Sequence, residues 1–440
     1  MNIVMLTNTY TPHVGGVARS VESFTHEYRR QGHRTLVVAP EFPGTADEEK
    51  DLLRIPAIQN FNGSDFSLVL PVSGLLTDTM TAFRPDIIHS HHPYLLGVTA
   101  LRIARYRGLP LVFTHHTRYE EYSHYVPGDS PVLKRFIIEA ATQYANLADL
   151  VIAPSESIRT LLREREVTTP VEIVATGVVL EKFSRGKGAE VRRQLNIPED
   201  GYVIGHLGRL APEKNIAFLA RAVAEFIRHA KDPGTETGCA GPCFFLVIGS
   251  GPEEQMIRDV FHEAGLDSWL HMLGTLQHPE LADVLAAMDV FAFTSKSETQ
   301  GMVLTEAMAV GLPVVALDAP GAREVVRDPD NGLLLPETAS AQEFAAALAS
   351  LAEQPESARK QLREAARRTA ETFSMERTAE KMLGFYAGLQ PHSPAGWAGP
   401  EETWEASLRL IKTEWDILKS AGSAAGAALS GAGPGKRRKP

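Results

Sequence analysis

Apolar positions in this chain fall into short β-branched runs separated by longer stretches of helical period. Asn2–Thr7, Thr35–Ala39, Ile87–His89, Leu111–Thr114, Leu150–Ala153 and Glu172–Val174 read as strands. A second series begins at Tyr202–Leu207 and continues through Cys243–Gly249, Asp289–Phe293, Pro313–Leu317 and Gly332–Leu335. Between several of them lie helical patterns: Val17, Val21, Phe24 and Tyr28 are spaced 4, 3, 4, and Gly32 follows as a stop. Strand-helix alternation predicts parallel sheets covered on both faces, and two series predict two doubly wound α/β domains. Sites in such sheets lie at the carboxyl ends of the strands, here predicted as a cleft between the domains.

The polar stretch from Leu180 to Asp200, with Gly186, Gly188 and Pro198, marks the boundary, so the domains are read as 1–185 and 186–370. Residues 371–390 read as a helix that crosses back to the first domain. Beyond Gln390 the composition turns to Pro, Gly, Ser and Ala, a tail over 391–440. One amphipathic helix, 401–419, interrupts it, with Trp404, Leu408, Ile411, Trp415 and Leu418 spaced 4, 3, 4, 3. That face could lie on a membrane or dock on protein, and the near balance of acids and bases opposite it favours docking. Lys436-Arg437-Arg438-Lys439 reads as a solvated tail or an appended remnant.

Composition adds exclusions. The chain has 440 residues, 44% hydrophobic and 22% charged, as in soluble two-domain proteins. Two cysteines, Cys239 and Cys243, are too few for a disulfide framework or a closed zinc site. The N-terminus meets Thr7 and Asn8 after one short apolar run and does not read as a signal peptide. No apolar stretch approaches the ~20 residues that span a bilayer, so any membrane contact is expected to be peripheral. A net charge of −10 argues against nucleic acid. Residues 1–185 carry 18 basic and 20 acidic side chains and residues 186–440 carry 26 and 34, so an anionic membrane repels the first half less.

The most informative window is Glu298-Thr-Gln-Gly-Met-Val-Leu-Thr-Glu306. It follows a buried-strand run and opens a helix ending at Gly311, so Gly301 sits near a strand-to-helix turn that favours a phosphate. Two carboxylates around such a turn suit a nucleotide-sugar. Pro12-His13-Val14-Gly15-Gly16, after the first strand, lets backbone approach a phosphate or sugar. Gly208-Arg209-Leu-Ala-Pro-Glu-Lys214 brings a guanidinium and an ammonium to one anion, which stabilises a departing diphosphate. Gly249-Ser250-Gly251 reads as another close approach to the nucleotide or as a plain turn.

His89, His91 and His92 follow one strand, and His115 and His116 follow the next. No orderly carboxylate or cysteine set accompanies them, so hydrogen bonds to sugar hydroxyls suit them better than a metal. The segment Thr117 to Tyr125, rich in Arg, Tyr and His, could bind an acceptor.

With these residues in place the chain resembles the retaining GT-B glycosyltransferases of family four over nearly all of residues 1–388. The features that carry the resemblance are two Rossmann-like halves, the Gly15-Gly16 turn, Arg209 with Lys214, and Glu298 to Glu306. Three stretches resemble the diacylglycerol glucosyltransferases: His89-Ser-His-His-Pro93, Thr114-His-His-Thr-Arg-Tyr-Glu-Glu-Tyr122 and Ser297-Glu-Thr-Gln-Gly301. The element Ala175-Thr-Gly-Val-Val-Leu180 departs from the family pattern.

The resemblance implies catalytic roles for His116, Arg209, Lys214 and Glu298: His116 at the transferred sugar, Arg209 and Lys214 on the diphosphate, Glu298 on sugar hydroxyls. It implies donor contacts from Gly15, Gly16, Gly249, Gly251, Gln300, Gly301, Met302 and Val303, with Glu306 on the ribose. His92, Arg118, Tyr119, Tyr122 and His124 would face the acceptor. No cofactor and no metal are expected, and Asp328-Pro-Asp330 reads as a turn. The expected reaction moves a hexose, with glucose from UDP-glucose ahead of GDP-mannose, onto diacylglycerol. Other acceptors, or a binding protein without transfer, are the alternatives. The expected place is the cytoplasm, peripheral on the inner face of the cell membrane.

Overall fold

Every paired strand in the two large sheets runs parallel to its neighbour. Helices must therefore return the chain between strands and cover both faces. The computed structural model describes residues 1–13, 15–42, 50–58, 68–69, 73–118, 130–231, 241–392, 412–417, 419–425 and 428. The chain divides into two units, Met1–Thr176 with Thr378–Pro440, and Gly177–Arg377.

The first unit runs β1 (Asn2–Leu6), α1 (Gly16–Arg30), β2 (Arg34–Pro40), β3 (Leu52–Ile55), β4 (Ala57–Ile58), β5 (Leu68–Val69), α2 (Ser73–Phe83) and β6 (Ile87–Ser90). It continues through α3 (Leu96–Arg107), β7 (Leu111–Thr114), α4 (Pro131–Leu147), β8 (Leu150–Ala153), α5 (Glu156–Glu164) and β9 (Val171–Ile173). Its sheet has the order β3-β2-β1-β6-β7-β8-β9, and β4 pairs antiparallel with β5 apart from it. Leu6, Val38, Ile88, Phe113 and Val151 centre one face of its core.

The second unit runs α6 (Gly188–Gln194), β10 (Tyr202–Leu207), α7 (Ile216–Lys231), β11 (Cys243–Ile248), α8 (Glu254–Glu263), β12 (Leu270–Met272) and α9 (Glu280–Ala286). Then come β13 (Val290–Phe293), α10 (Met302–Ala309), β14 (Val314–Leu317), β15 (Gly332–Leu335), α11 (Ala341–Ala352) and α12 (Glu356–Thr372). Its sheet has the order β12-β11-β10-β13-β14-β15. Apolar clusters cover both sheet faces, one around Leu246, Phe291 and Leu304, the other around Phe245, Phe226 and Phe344. Cys243 is buried at the head of β11.

The local expectations meet the structure closely at α1. Val21, Phe24 and Tyr28 are buried, and Gly32 takes a left-handed φ of +85° just after the helix. Gly311 stops α10 in the same way, at φ +90°. Four strands were not foreseen in the large sheets or beside them: β3 and β12, which are edge strands of four and three residues, and the paired β4 and β5.

The first unit ends at Thr176, earlier than the boundary read after residue 185. Val178 and Phe183 are buried in the second unit's core, and Val178 pairs with Ser374. The polar stretch that suggested the boundary is the surface of that unit. The last helix, α13 (Met375–Gly388), belongs from Thr378 onward to the first unit. There Tyr386 meets Tyr28 edge-on at 5.9 Å, with their hydroxyls 3.3 Å apart.

The tail follows α13 into the first unit. Residues 412–417 and 419–425 are helical, continuing past the expected end at 419. Thr413, Ala424 and Ala428 are buried, and Ile417 packs on the apolar core. Glu414 takes two hydrogen bonds from the Arg102 guanidinium, and the Ala428 carbonyl accepts from Arg135 at 2.8 Å. Trp415, expected on the apolar face, is instead 59% exposed, because Thr413 and Ile417 occupy the docked side. Trp404, Leu408, Ile411 and Leu418 lie outside the described residues. Truncation after Gln390 should lower the melting temperature by about 2–4 °C, the shift that ~1 kcal/mol makes in a domain of roughly 150–250 residues. An unchanged melting temperature would show that the docked tail adds no stability.

Candidate active site

In each large sheet the strand order reverses at one point, and there the connections leave toward opposite faces. In the second unit the reversal lies between β10 and β13. The carboxyl end of β10 leads to Gly208–Lys214 and that of β13 leads to Thr294–Gly301. In the first unit it lies between β1 and β6, whose ends lead to Gly15-Gly16 and to His91-His92.

The second unit gathers one charged cluster. Lys214 Nζ donates to Glu298 Oε1 at 2.7 Å, with the side chains only 14% and 19% exposed. Backbone ties fix this pair from both sides. Ser297 Oγ donates to the Glu213 carbonyl at 3.0 Å, and Asn215 Nδ2 donates to the Thr294 carbonyl at 3.3 Å. Asn215 itself sits in the left-handed region, φ +57°, a conformation its side chain tolerates better than most.

The turn that follows needs glycine twice. Gly301, φ +74°, is the N-cap of α10. Gly321, φ +87°, crosses behind it: a Cβ there would lie 2.6 Å from Glu298 Cβ and 3.1 Å from the Gly301 nitrogen. Glu298 therefore stands beside the start of α10, where first-turn N–H groups remain for an anion. Gln300 is buried, Met302 and Val303 are half-buried, and Glu306 is buried on α10 at 8% exposure. Arg209 is exposed.

Gly249 and Gly251 serve the fold directly. A Cβ at Gly249 would come 1.8 Å from the Gly208 carbonyl oxygen, and one at Gly251 would come 2.2 Å from that of Leu210. The close approach that requires these glycines is between two protein loops, one of which carries Arg209.

The first unit gathers imidazoles. Asn8 N–H donates to His92 Nδ1 at 3.1 Å, while Asn8 Oδ1 accepts from Leu96 N–H at the start of α3. His92 thus holds the end of β1 against the end of β6. His89 lies between Tyr386 Oη and Thr114 Oγ1, the latter at 2.7 Å. His91 Nδ1 lies 2.9 Å from His116 Nε2. His89, His91, His92 and His115 are all buried, whereas His116 and Arg118 are half-buried. The cluster expected to serve sugar hydroxyls is therefore mostly engaged within the protein, with His116 at its accessible edge. Gly15 caps α1 in extended backbone. Gly16 is exposed and a Cβ there would meet nothing within 4 Å, so the fold does not require that glycine. Tyr119, Tyr122 and His124 lie outside the described residues.

Among the described residues no group of three or more His, Cys, Asp or Glu side chains could hold a metal ion. Asp328, in the turn before β15, instead accepts a hydrogen bond at 3.1 Å from the N–H of Leu334 on that strand. Sequence reasoning placed Asn215 and Ser297 in their motifs but without these backbone ties, and it missed Gly321 and Thr294. The Pro320-Gly321 pair was their one readable signal, as a turn. It also missed His206, buried on β10, whose Nδ1–H donates to the Ala292 carbonyl at 3.1 Å.

Two parallel-sheet Rossmann-like units with these clusters at their reversal points are the GT-B architecture of glycosyltransferases. The sequence model "Glycosyltransferase Family 4" matches residues 14–182, and "Glycosyl transferases group 1" matches residues 188–369. A D-inositol 3-phosphate glycosyltransferase of Saccharomonospora viridis is 34% identical over 305 residues, 68% of this chain and 69% of the relative. An alpha-monoglucosyldiacylglycerol synthase of Streptococcus pneumoniae is 27% identical over 340 residues, 76% and 75% of the two chains. A GDP-mannose-dependent alpha-mannosyltransferase of Mycobacterium tuberculosis is 28% identical over 401 residues, 89% and 97%. The sucrose-phosphate synthase of Thermosynechococcus elongatus superposes with a TM-score of 0.70 at 21% identity, covering 88% of this chain and 98% of that one. The chain belongs to family four of the glycosyltransferases and is a hexosyltransferase.

Burial holds the imidazoles neutral. It pushes His89 and His92 down to about 3 and His206 down to about 4, and it lowers His91 and His116 well below the usual range. An unfolded histidine takes up its proton near pH 6.5, so below that the unfolded chain binds more protons than the folded one. Stability should fall as pH drops through ~6.5 toward 5, by about 1 kcal/mol per pH unit for each buried imidazole. Urea midpoints that coincide at pH 7.5 and 5.5 would contradict this.

Proposed function

We propose that this enzyme transfers glucose from UDP-glucose to the hydroxyl of diacylglycerol, with retention at the anomeric carbon. The observation that carries the donor half is the Lys214–Glu298 pair, held beside the start of α10. An ammonium 2.7 Å from a carboxylate is ready to turn to a diphosphate, and the carboxylate then accepts from sugar hydroxyls. Arg209 is exposed at the start of the loop that carries Lys214 and joins it on the leaving diphosphate. The main chain from Gln300 to Val303 meets sugar and phosphate, and Glu306 takes the ribose hydroxyls. The open space at Gly16 suits donor phosphate approaching the start of α1.

In the reaction the acceptor hydroxyl attacks the anomeric carbon on the leaving-group side. The bond to the departing diphosphate oxygen breaks, and that oxygen takes the acceptor proton. His116 contacts the hexose as it moves. Positioning and fixed charge lower the barrier, without a covalent enzyme nucleophile, metal or other cofactor.

Diacylglycerol is supported by the His89–Pro93 and Thr114–Tyr122 stretches and by the names of two relatives, from S. pneumoniae and Acholeplasma laidlawii. His92 and Arg118 would flank that acceptor, together with Tyr119, Tyr122 and His124. No described helix is long and apolar enough to cross a membrane. The start of α4 suits a peripheral approach at the cytoplasmic face: Val132 is 42% exposed, with Lys134, Arg135 and Phe136 half-buried after it. A second reading, mannose from GDP-mannose, is favoured by the mannosyltransferase relative, matched over 97% of its length.

Purified protein given labelled UDP-glucose and, in parallel, GDP-mannose with diacylglycerol micelles should form glycolipid from UDP-glucose. Product only from GDP-mannose would replace the donor, and donor hydrolysis without lipid product would remove the acceptor. Lys214→Ala and Glu298→Ala should each cost at least about 100-fold in transfer, the scale of losing a fixed charge at a reacting centre. Full activity in either variant would overturn the donor site.

A further inference from the structure

His91 leaves its strand beside the one that leads to His116, because β6 pairs with β7 through Ser90 and Phe113. Its backbone N–H donates to the Leu6 carbonyl at 3.0 Å, which pins the residue to β1. Its ring lies on that of His89, with centroids 4.2 Å apart. His89 is itself clamped between Tyr386 Oη and Thr114 Oγ1. The plane of the His91 ring is thus set from behind by a buried network. Its forward nitrogen, Nδ1, lies 2.9 Å from His116 Nε2, and the two rings stack at 5.1 Å.

One proton serves that contact, since neither imidazole is charged in these surroundings. Two tautomeric arrangements satisfy the distance. If His116 Nε2–H donated, His91 would carry its own proton on Nε2, a buried atom with no hydrogen-bond partner among the described residues. A buried N–H without an acceptor is a rare and costly state, less tolerated than an unfilled lone pair. If instead His91 Nδ1–H donates, the buried Nε2 is a bare lone pair, and His116 must hold its proton on Nδ1.

We propose that His91 is a positioning residue for transfer: its Nδ1–H donates to His116 Nε2, fixing both the ring plane of His116 and its Nδ1–H tautomer. This rests on the reading that His116 contacts the transferred hexose. His116 then meets the sugar as a donor from Nδ1, in an orientation that does not have to be found anew in each turnover. His91 itself touches neither substrate, being 1% exposed.

Nitrogen NMR on the full-length protein with ring-labelled histidine tests the tautomer directly. The expected pattern for His116 is a protonated Nδ1 and a bare Nε2. A protonated Nε2 on His116 would overturn the assignment without any variant. Kinetics test the consequence. His91→Leu should lower kcat by about 10–100-fold, the cost of a small misplacement near the reacting atoms, with donor KM within about twofold. His91→Asn can place an amide N–H where Nδ1 stood and should recover most of that loss. Equal losses in the Leu and Asn variants, or a wild-type kcat in His91→Leu, would reject the proposal. His116→Ala separates the two readings. Full activity there would remove the role of His116, whereas loss there with none in His91→Leu would remove only that of His91.

Discussion

Parallel pairing is the constraint from which the rest follows. Once β1 accepts β2 on one side and β6 on the other, and β10 accepts β11 and β13, every connection must cross a sheet face and return. At those two central strands the connections diverge, and the backbone beyond them cannot be covered by a neighbouring crossover. The glycine turn before α1, the Arg209 loop, the Glu298 turn and the first histidine pair all lie on such ends. Their placement is a consequence of strand order before it is a matter of side-chain chemistry.

The two units then treat charge in opposite ways. In the second, a cation and an anion share a partly dry site, where their attraction exceeds that of a surface pair and each limits the cost of burying the other. In the first, burial removes charge: five imidazoles crowd into the ends of β6 and β7, and desolvation keeps at least four neutral. Neutral rings can stack and pass single hydrogen bonds between them, which protonated rings would not. On the function proposed above, fixed charge serves the leaving diphosphate and fixed dipoles the arriving hydroxyl.

Much of this was legible because central strands announce themselves. β10, β11, β13 and β14 are buried throughout, so their apolar runs stand out against the helices. The edges did not: β12 has three half-buried residues, and β3 includes Arg54, so neither shows a run. The Lys214–Glu298 partnership spans 84 positions and rests on backbone ties through Ser297 and Asn215, which no local pattern records. Gly249 and Gly251 illustrate a different limit. A sequence shows that a glycine is needed for close approach but not what approaches, and here it is the protein's own loop. The compact units part at Thr176, whereas the two family models part between residues 182 and 188, on either side of 185. Polarity marks surface, and the polar stretch there is surface of the second unit.

The histidine cluster also shows why residues late in the chain bear on a site built at its start. Tyr386 lies on α13, more than 250 positions after His89, yet its hydroxyl links Tyr28 to His89 in the hydrogen-bonded line from Tyr28 to Thr114. Apolar contacts from Met382 and Leu383 would seat that helix but leave it free to slide, since dispersion has little directional preference. A hydroxyl aimed at one ring nitrogen does not slide. Burial raises the pKa of both tyrosines above the ordinary phenol range, so the phenols stay protonated and available as donors. The helix that leaves the second unit is therefore tied to the first by a bond of defined length and angle. That bond holds the imidazole on which His91 rests.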